Sequence, residues 1–226
     1  MLKYHSSIVR AVFIGSVFAL AMASCSKQLP PGGHNNFHPY AVRHAAMHFE
    51  YFGDTRGTED LFIDSFGTVE AHDAHFELLD PRGFRPTFTF SVKHGAEIIN
   101  IDSMHHKAYH IVDHVLDSLS HLSPGDVPSS EQEFASYFGA QGYALQGDTT
   151  VLGLHAHVWK FTMGPQYLIE WGGLVIGKTE GSGNHGHELR LISIDTVNPI
   201  DPRRFVPPSS YPIEQAPPRP ETQSTN

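Results

Sequence analysis

One cysteine in 226 residues cannot close an intramolecular disulfide, so no covalent staple organises this chain and the thiol of Cys25 is either free or modified. Basic residues are scarce as well. The chain carries 15 Lys and Arg against 24 Asp and Glu, a formal charge of -9, and such an acidic chain repels nucleic acid and anionic headgroups. Long apolar runs are missing: the uncharged run from Ala11 to Ala23 (AVFIGSVFALAMA) has 13 residues, where a stable bilayer-spanning helix needs ~20. Catalytic signatures are missing too. There is no G-x-S-x-G and no H-E-x-x-H, and no serine has a neighbouring acid-base pair, so we read no enzyme and no cofactor. What is present is a 40% apolar share with 11% aromatics, sufficient for the core of one sizeable domain.

The cysteine is explained by what precedes it. Lys3 and Arg10 give a positive start, the apolar run follows, and Met22, Ala23, Ser24 and Cys25 close it with mostly small residues. This is the layout of an export signal, and its end resembles a bacterial lipobox, in which the thiol takes a diacylglycerol and the signal is cut just before it. The Met three positions before Cys25 departs from the more usual Leu. The plainer alternative is an ordinary export signal with a spare thiol beyond it. Cleavage before Cys25 removes residues 1–24, Lys3 and Arg10 among them but no acid, taking the formal charge from -9 to -11. The expected attachment to a membrane is therefore the lipid itself and not a basic patch.

Both ends of the processed chain read as tethers. Residues 25–39 hold the modified cysteine and a Pro, Gly and Asn-rich spacer without periodicity. Residues 199–220 contain 8 of the 16 prolines, which predicts extended packing without regular ladders, then a disordered tail over 213–226. The folded body is expected over 40–212.

Within it, VRHAAMHFEYFG (42–53) alternates so that Met47, Phe49 and Tyr51 share a face. Two more strands are expected around Phe66 and Gly67, one over RPTFTFSVKHG with Phe88 and Phe90 opposed to Thr87 and Thr89, and a pair over AEIINIDSMHHKAYHI. Short loops between such runs mean antiparallel neighbours. The period then changes to 3.6: Ile111, Val112, Val115, Leu116, Leu119 and Leu122 predict an amphipathic helix over 110–122, and EQEFASYFG a second, after Ser129 or Ser130. Strands are expected to resume at Thr150, with a hairpin turn at Gly172-Gly173. The predicted class is α+β, mostly β, with both helices on one face of the sheet.

The order of these elements, with LFIDSFG, IINIDSMHHKAYHI, VLGLHAHVWKF, YLIEWGGLVIGKTE and the closing DPRRFVPPSSYPI, resembles the outer-membrane lipoprotein carrier superfamily, nearest to uncharacterised bacterial lipoproteins within it. That resemblance implies a strongly curved antiparallel sheet, a half-open barrel, whose concave apolar face is covered by helices. It implies a bacterial cell-envelope location at the outer membrane, and a lipid, lipidated or other apolar ligand held without chemistry. The lining would then be Phe49, Tyr51, Phe88, Phe90, Ile99, Ile101, Trp159, Phe161, Ile169 and Trp171. The same residues would equally make a packed core, and other members of the superfamily are envelope sensors, so a structural or sensing module without ligand is a further alternative.

Two other features compete for attention. Residues 172–179, GGLVIGKT, match the phosphate-loop pattern letter for letter. That loop needs a helix starting at its Lys-Thr, and EGSGNHG cannot form one, so no nucleotide is expected. Histidine is abundant, with 17 in the chain. His110 and His114 have helical i, i+4 spacing, with Asp113, Asp117 and His121 on the same stripe; His155 with His157, and His185 with His187, share strand faces. These make a His-rich metal-binding protein the rival reading, with His155, His157, His110 and His114 as candidate ligands. A metal needs three or four ligands converging, and spacing alone supplies pairs, so solvated histidines are the expectation.

Overall fold

The computed structural model of the chain describes residues 39–80, 83–103, 106–113, 117, 130–182 and 185–215. The expected export signal, Cys25 and the expected spacer up to residue 38 lie outside the described residues, as do 216–226 of the tail.

Twelve strands form one sheet: β1 (Ala45–Gly53), β2 (Thr55–Asp64), β3 (Val69–Asp80), β4 (Gly83–His94), β5 (Glu97–Asp102), β6 (Lys107–Val112), β7 (Tyr143–Val151), β8 (Leu154–Phe161), β9 (Tyr167–Trp171), β10 (Leu174–Ser182), β11 (His185–Asp195) and β12 (Ile213–Gln215). Their order across the sheet is β12-β6-β5-β4-β3-β2-β1-β11-β10-β9-β8-β7. Two meanders, β1 to β6 and β7 to β11, are thus joined where β1 pairs with β11, with Met47 opposite Ile194 and Tyr51 opposite Leu189. The sheet does not close on itself; β7 and β12 are its edges. All pairings are antiparallel except that of β12 with β6. The arrangement is consistent with the curved sheet that was expected.

Several expectations change. Among the described residues there is one α-helix, α1 (Ser130–Ala140), in place of two. His110, Ile111 and Val112, assigned to the first helix by their spacing, are the end of β6, where Ile111 pairs with Ile98 and His110 with Ile99. Beyond the strand the Asp117 N–H donates to the Asp113 carbonyl at 2.8 Å; residues 114–116 and 118–129 lie outside the described residues. Strands resume at Tyr143 and not at Thr150, because β7 pairs with β8 from Tyr143 opposite Phe161 onwards. The proline-rich closing segment contributes a short strand after all, Ile213–Gln215 alongside Ala108–His110 of β6. No described helix is long and apolar enough to cross a membrane.

The Gly172-Gly173 turn is as expected, with φ of 57° and 90°. This left-handed pair matches the twist of the strands it joins, and glycine adopts it without the steric penalty of a Cβ. The entering chain docks at the same end of the sheet. The Ala41 N–H donates to the Gly172 carbonyl at 3.0 Å and the Tyr40 N–H to the Phe66 carbonyl at 3.0 Å.

The sheet buries apolar side chains on both faces. Ala45, Met47, Phe49, Leu61, Ile63, Trp159, Leu168, Leu189 and Leu191 form the larger core with Phe134 and Phe138 of α1. A smaller core of Ala71, Phe90, Val92, Ile101 and Ala108 is capped by Phe205, with Ile200 and Tyr211 packed against it. The closing segment, from Ile200 through the 3-10 turn Pro202–Phe205, is thus a strap across β3 to β6. Its hold is aromatic and apolar, with the Arg204 guanidinium 4.8 Å from the centre of the Phe62 ring.

Candidate functional site

The most developed aromatic arrangement lies between α1 and the β7 edge of the sheet. Phe134, Tyr137 and Phe138 stand three and four positions apart, so they share one side of α1. Phe134 and Phe138 are buried, their ring centroids 4.3 Å apart. The Phe134 ring lies 5.4 Å from that of Trp159 on β8, and Phe138 meets Tyr143 of β7 edge-on at 5.7 Å. Tyr143 in turn packs on Phe161 at 5.3 Å. These spacings are those of favourable aromatic pairs, each worth ~0.5–1.5 kcal/mol beyond area burial. The seam sits at an edge where no further strand continues the sheet.

The ten expected lining residues do not converge on one cavity. Residues opposite one another across strands share a face, and the row Phe49, Glu59, Ala74, Thr89 puts Thr89 on the side of Phe49. Phe88 and Phe90 therefore point to the other side, together with Ile101, which pairs with Phe90, and Ile99, which pairs with Val92. Those four belong to the core under the strap. Phe49, Tyr51, Trp159, Ile169 and Trp171 belong to the core under α1, and Phe161 joins them through Tyr143. A separate groove of about 450 Å³ opens at the far end of β3 and β4, where Phe76, Pro86, Phe88 and Ser103 are among its walls.

The helix-bearing face also carries a buried ionic network. Glu70, 1% exposed, accepts from Lys93 Nζ at 2.7 Å. His72 lies between two carboxylates, its Nδ1 2.6 Å from Glu59 and its Nε2 2.9 Å from Glu70. The Tyr51 hydroxyl donates to the other oxygen of Glu59 at 2.5 Å. The Tyr40 ring covers the Lys93 end, with Nζ 5.5 Å from its centre. It presses on Gly67, where a Cβ would lie 2.2 Å from the ring. Further along the face, buried Lys178 donates to Glu180 at 2.7 Å, and His187 Nε2 lies 2.9 Å from the same carboxylate.

Burial opposes every charge in this network, and the partners outweigh it. Burial would pull the His72 imidazolium down, but hydrogen bonds and charges from Glu59 and Glu70 raise its pKa to about 10, so both ring nitrogens donate. Burial would raise Glu70, yet the Lys93 charge and the His72 hydrogen bond lower it to about 2. Glu180 is likewise raised by burial and lowered, by His187 and Lys178, to about 2. Glu59 also falls below the ordinary carboxylate value, its burial outweighed by His72 and Tyr51. Burial and the Glu59 charge hold the Tyr51 hydroxyl well above its usual range. Glu59, Glu70, Glu180 and His72 therefore carry fixed charges at neutral pH. This network was not expected from the sequence: Glu59 faces inward in mid-strand.

The candidate histidines fall in different places. His110 is on β6 beside Glu97 and not on a helix, and His114 lies outside the described residues. His155 and His157 do approach, ring centroids 5.9 Å apart, and both face Asp148, at 3.8 and 2.7 Å. Among the described residues, however, no group of three or more metal-ligating side chains is arranged to hold an ion. The GGLVIGKT stretch is a hairpin turn running into β10, with Lys178 buried in the sheet and paired to Glu180, so there is no phosphate cradle there.

Comparison with known proteins adds little to this geometry. No family model matches the chain. No curated protein matches it either. Among solved structures it is similar to an uncharacterized conserved protein from Thermus thermophilus, at 7% identity over 78% of this chain and 92% of that one, with a TM-score of 0.46. It is also similar to LprF from Mycobacterium bovis, at 9% identity over 71% of this chain and 91% of that one, with a TM-score of 0.30. Neither score reaches 0.5, so the reading of the site rests on its own residues.

Proposed function

We propose that this chain is a non-catalytic lipoprotein of the bacterial cell envelope, anchored to a membrane through Cys25 and holding an acyl chain or another apolar ligand between α1 and the sheet. The observation that carries the reading is the aromatic seam of Phe134, Phe138, Tyr143, Trp159 and Phe161 at an open edge of the sheet. A helix resting on the last strand of an unclosed sheet can separate from it without breaking the strand ladder. Each ligand methylene taken from water into such a seam is worth ~0.8 kcal/mol, so an acyl chain of moderate length offsets the ring contacts it displaces. Lipid attachment at Cys25 supplies the membrane, consistent with a chain that is acidic overall.

Native mass spectrometry of the purified protein tests the ligand. Co-purified acyl species without metal are the expected result. Stoichiometric metal that disappears in a His155→Ala, His157→Ala variant would replace this reading with the metal-binding one, and a preparation with neither species would leave an interaction module. The anchor is tested separately by metabolic labelling with a palmitate analogue: label is expected on the native chain and absent from Cys25→Ala, and equal labelling of both would refute lipidation.

A further inference from the structure

The core under α1 contains a polar atom that nothing among the described residues satisfies. Trp159 is 8% exposed, and its indole Nε1 is buried without a hydrogen-bond partner among them. In the cross-strand row Leu145, Trp159, Leu168 both neighbours are aliphatic, and the Phe134 ring, 5.4 Å away, offers no acceptor in its plane. Leaving a buried donor unpaired costs ~1–3 kcal/mol, and a buried indole N–H ordinarily finds a partner. A Phe at 159 would fill most of the same space without that cost. Indole N–H is a donor only, so whatever satisfies it must bring an acceptor. A pure hydrocarbon cannot.

We propose that the ligand held under α1 is an acyl compound bound by its carbonyl oxygen, and that the Trp159 indole N–H is the donor that positions it. This rests on the ligand reading above and narrows it to a class, fatty acids or their esters, with the carbonyl beside Trp159 and the hydrocarbon along the rings of Phe134 and Phe138. On the same face lie the Lys178–Glu180 pair, whose two charges offset one another, with Lys178 opposite Leu168, and the Glu170 carboxylate two positions from Leu168, which accepts from the Gly173 N–H at 2.6 Å.

The full chain carrying Cys25→Ala, which removes the competing anchor, is titrated with laurate, monolaurin and dodecane. The chain has two tryptophans, so the Trp159 indole signal in a ¹⁵N-labelled sample is assigned by its persistence in Trp171→Phe. Laurate or monolaurin is expected to move that proton signal downfield, and dodecane to leave it in place. Trp159→Phe should weaken the acyl ligand about tenfold, the value of one hydrogen bond to a buried donor, while leaving dodecane affinity unchanged. Response to laurate alone would identify a free acid, and response to monolaurin an ester, as the source of the carbonyl. An unmoved indole signal at saturation, or equal acyl affinity in Trp159→Phe, would overturn this inference while the apolar-ligand reading stood. Failure of all three probes to bind would instead remove that reading, and this one with it. The signal shift is read on a chain with Trp159 intact, so it decides the matter even if the Phe variant folds poorly.

Discussion

Lys93→Met is expected to lower the unfolding free energy by about 3 to 5 kcal/mol, read from the urea midpoint at constant m-value. Glu70 is the reason. It is 1% exposed, Lys93 is 3% exposed, and their oxygen and nitrogen lie 2.7 Å apart. Removing the cation strands a carboxylate that burial already disfavours and whose low pKa depends first on the Lys93 charge. His72 still reaches the other Glu70 oxygen at 2.9 Å, which places the effect toward the lower end of that range. The paired change Lys93→Met with Glu70→Leu should recover most of the loss, because a buried ion pair replaced by apolar groups of similar volume is close to neutral. If the single variant lost less than about 1 kcal/mol, the pair would contribute no more than a surface salt bridge and Glu70 would not depend on Lys93.

How much of this fold was legible follows from what each kind of pattern encodes. Strands with strong alternation could be read directly: Met47, Phe49 and Tyr51 share a face, and the two glycines at 172 and 173 mark a turn that only they adopt easily. β7 could not, since YALQGDTTV has few apolar residues to alternate and lies at an edge, where one flank is unpaired. Ile111 and Val112 fit a helical stripe and a strand equally well over so short a run. Pairing with Glu97 and Ile98 decides for the strand, a tertiary effect that no local spacing contains. β12 is three residues between prolines, and its partner is more than 100 positions away.

The candidate site shows the same division more sharply. Alternation separates Phe88 and Phe90 from Thr87 and Thr89, but it does not say which set faces Phe49. Register does, and it sets the threonines on that side. A list of inward aromatics drawn from sequence therefore mixes two cores, one under α1 and one under the Phe205 strap. The ionic network has a fainter signal still. Glu70 and Lys93 are 23 positions apart and meet only because β3 and β4 pair Glu70 with Lys93. The one clue available was charge on the wrong phase: Glu59 lies on the same alternation as Leu61 and Ile63, where a solvated acid has no reason to be.

That network also sets how stability varies with pH. His72 has a pKa of about 10 in the folded chain, against 6.5 for the ordinary imidazole, held up by Glu59 from β2 and Glu70 from its own strand. Beyond these two lie Lys93 of β4, paired to Glu70, and Tyr51 of β1 and Lys178 of β10, both acting on Glu59. A raised pKa stabilises the fold fully below 6.5, and that contribution is lost as pH rises toward 10. The slope is at most ~1.4 kcal/mol per pH unit for one proton, less here because the ring is about one-fifth exposed to solvent. Glu70 and Glu180, lowered from 4.5 to about 2, act in the opposite sense, stabilising above 4.5 and failing as pH falls through 2. The fold should accordingly be most stable between about pH 4.5 and 6.5. Urea unfolding at pH 5.5 and 9.5 should show the native chain losing stability while His72→Gln, weaker at pH 5.5, loses much less between the two. Stopping below pH 10 keeps Tyr40 and Tyr51, both shifted upward, from contributing. Parallel losses in the native chain and the variant would show that His72 does not keep its proton between the two glutamates, and the network would then have to be held by its lysines alone.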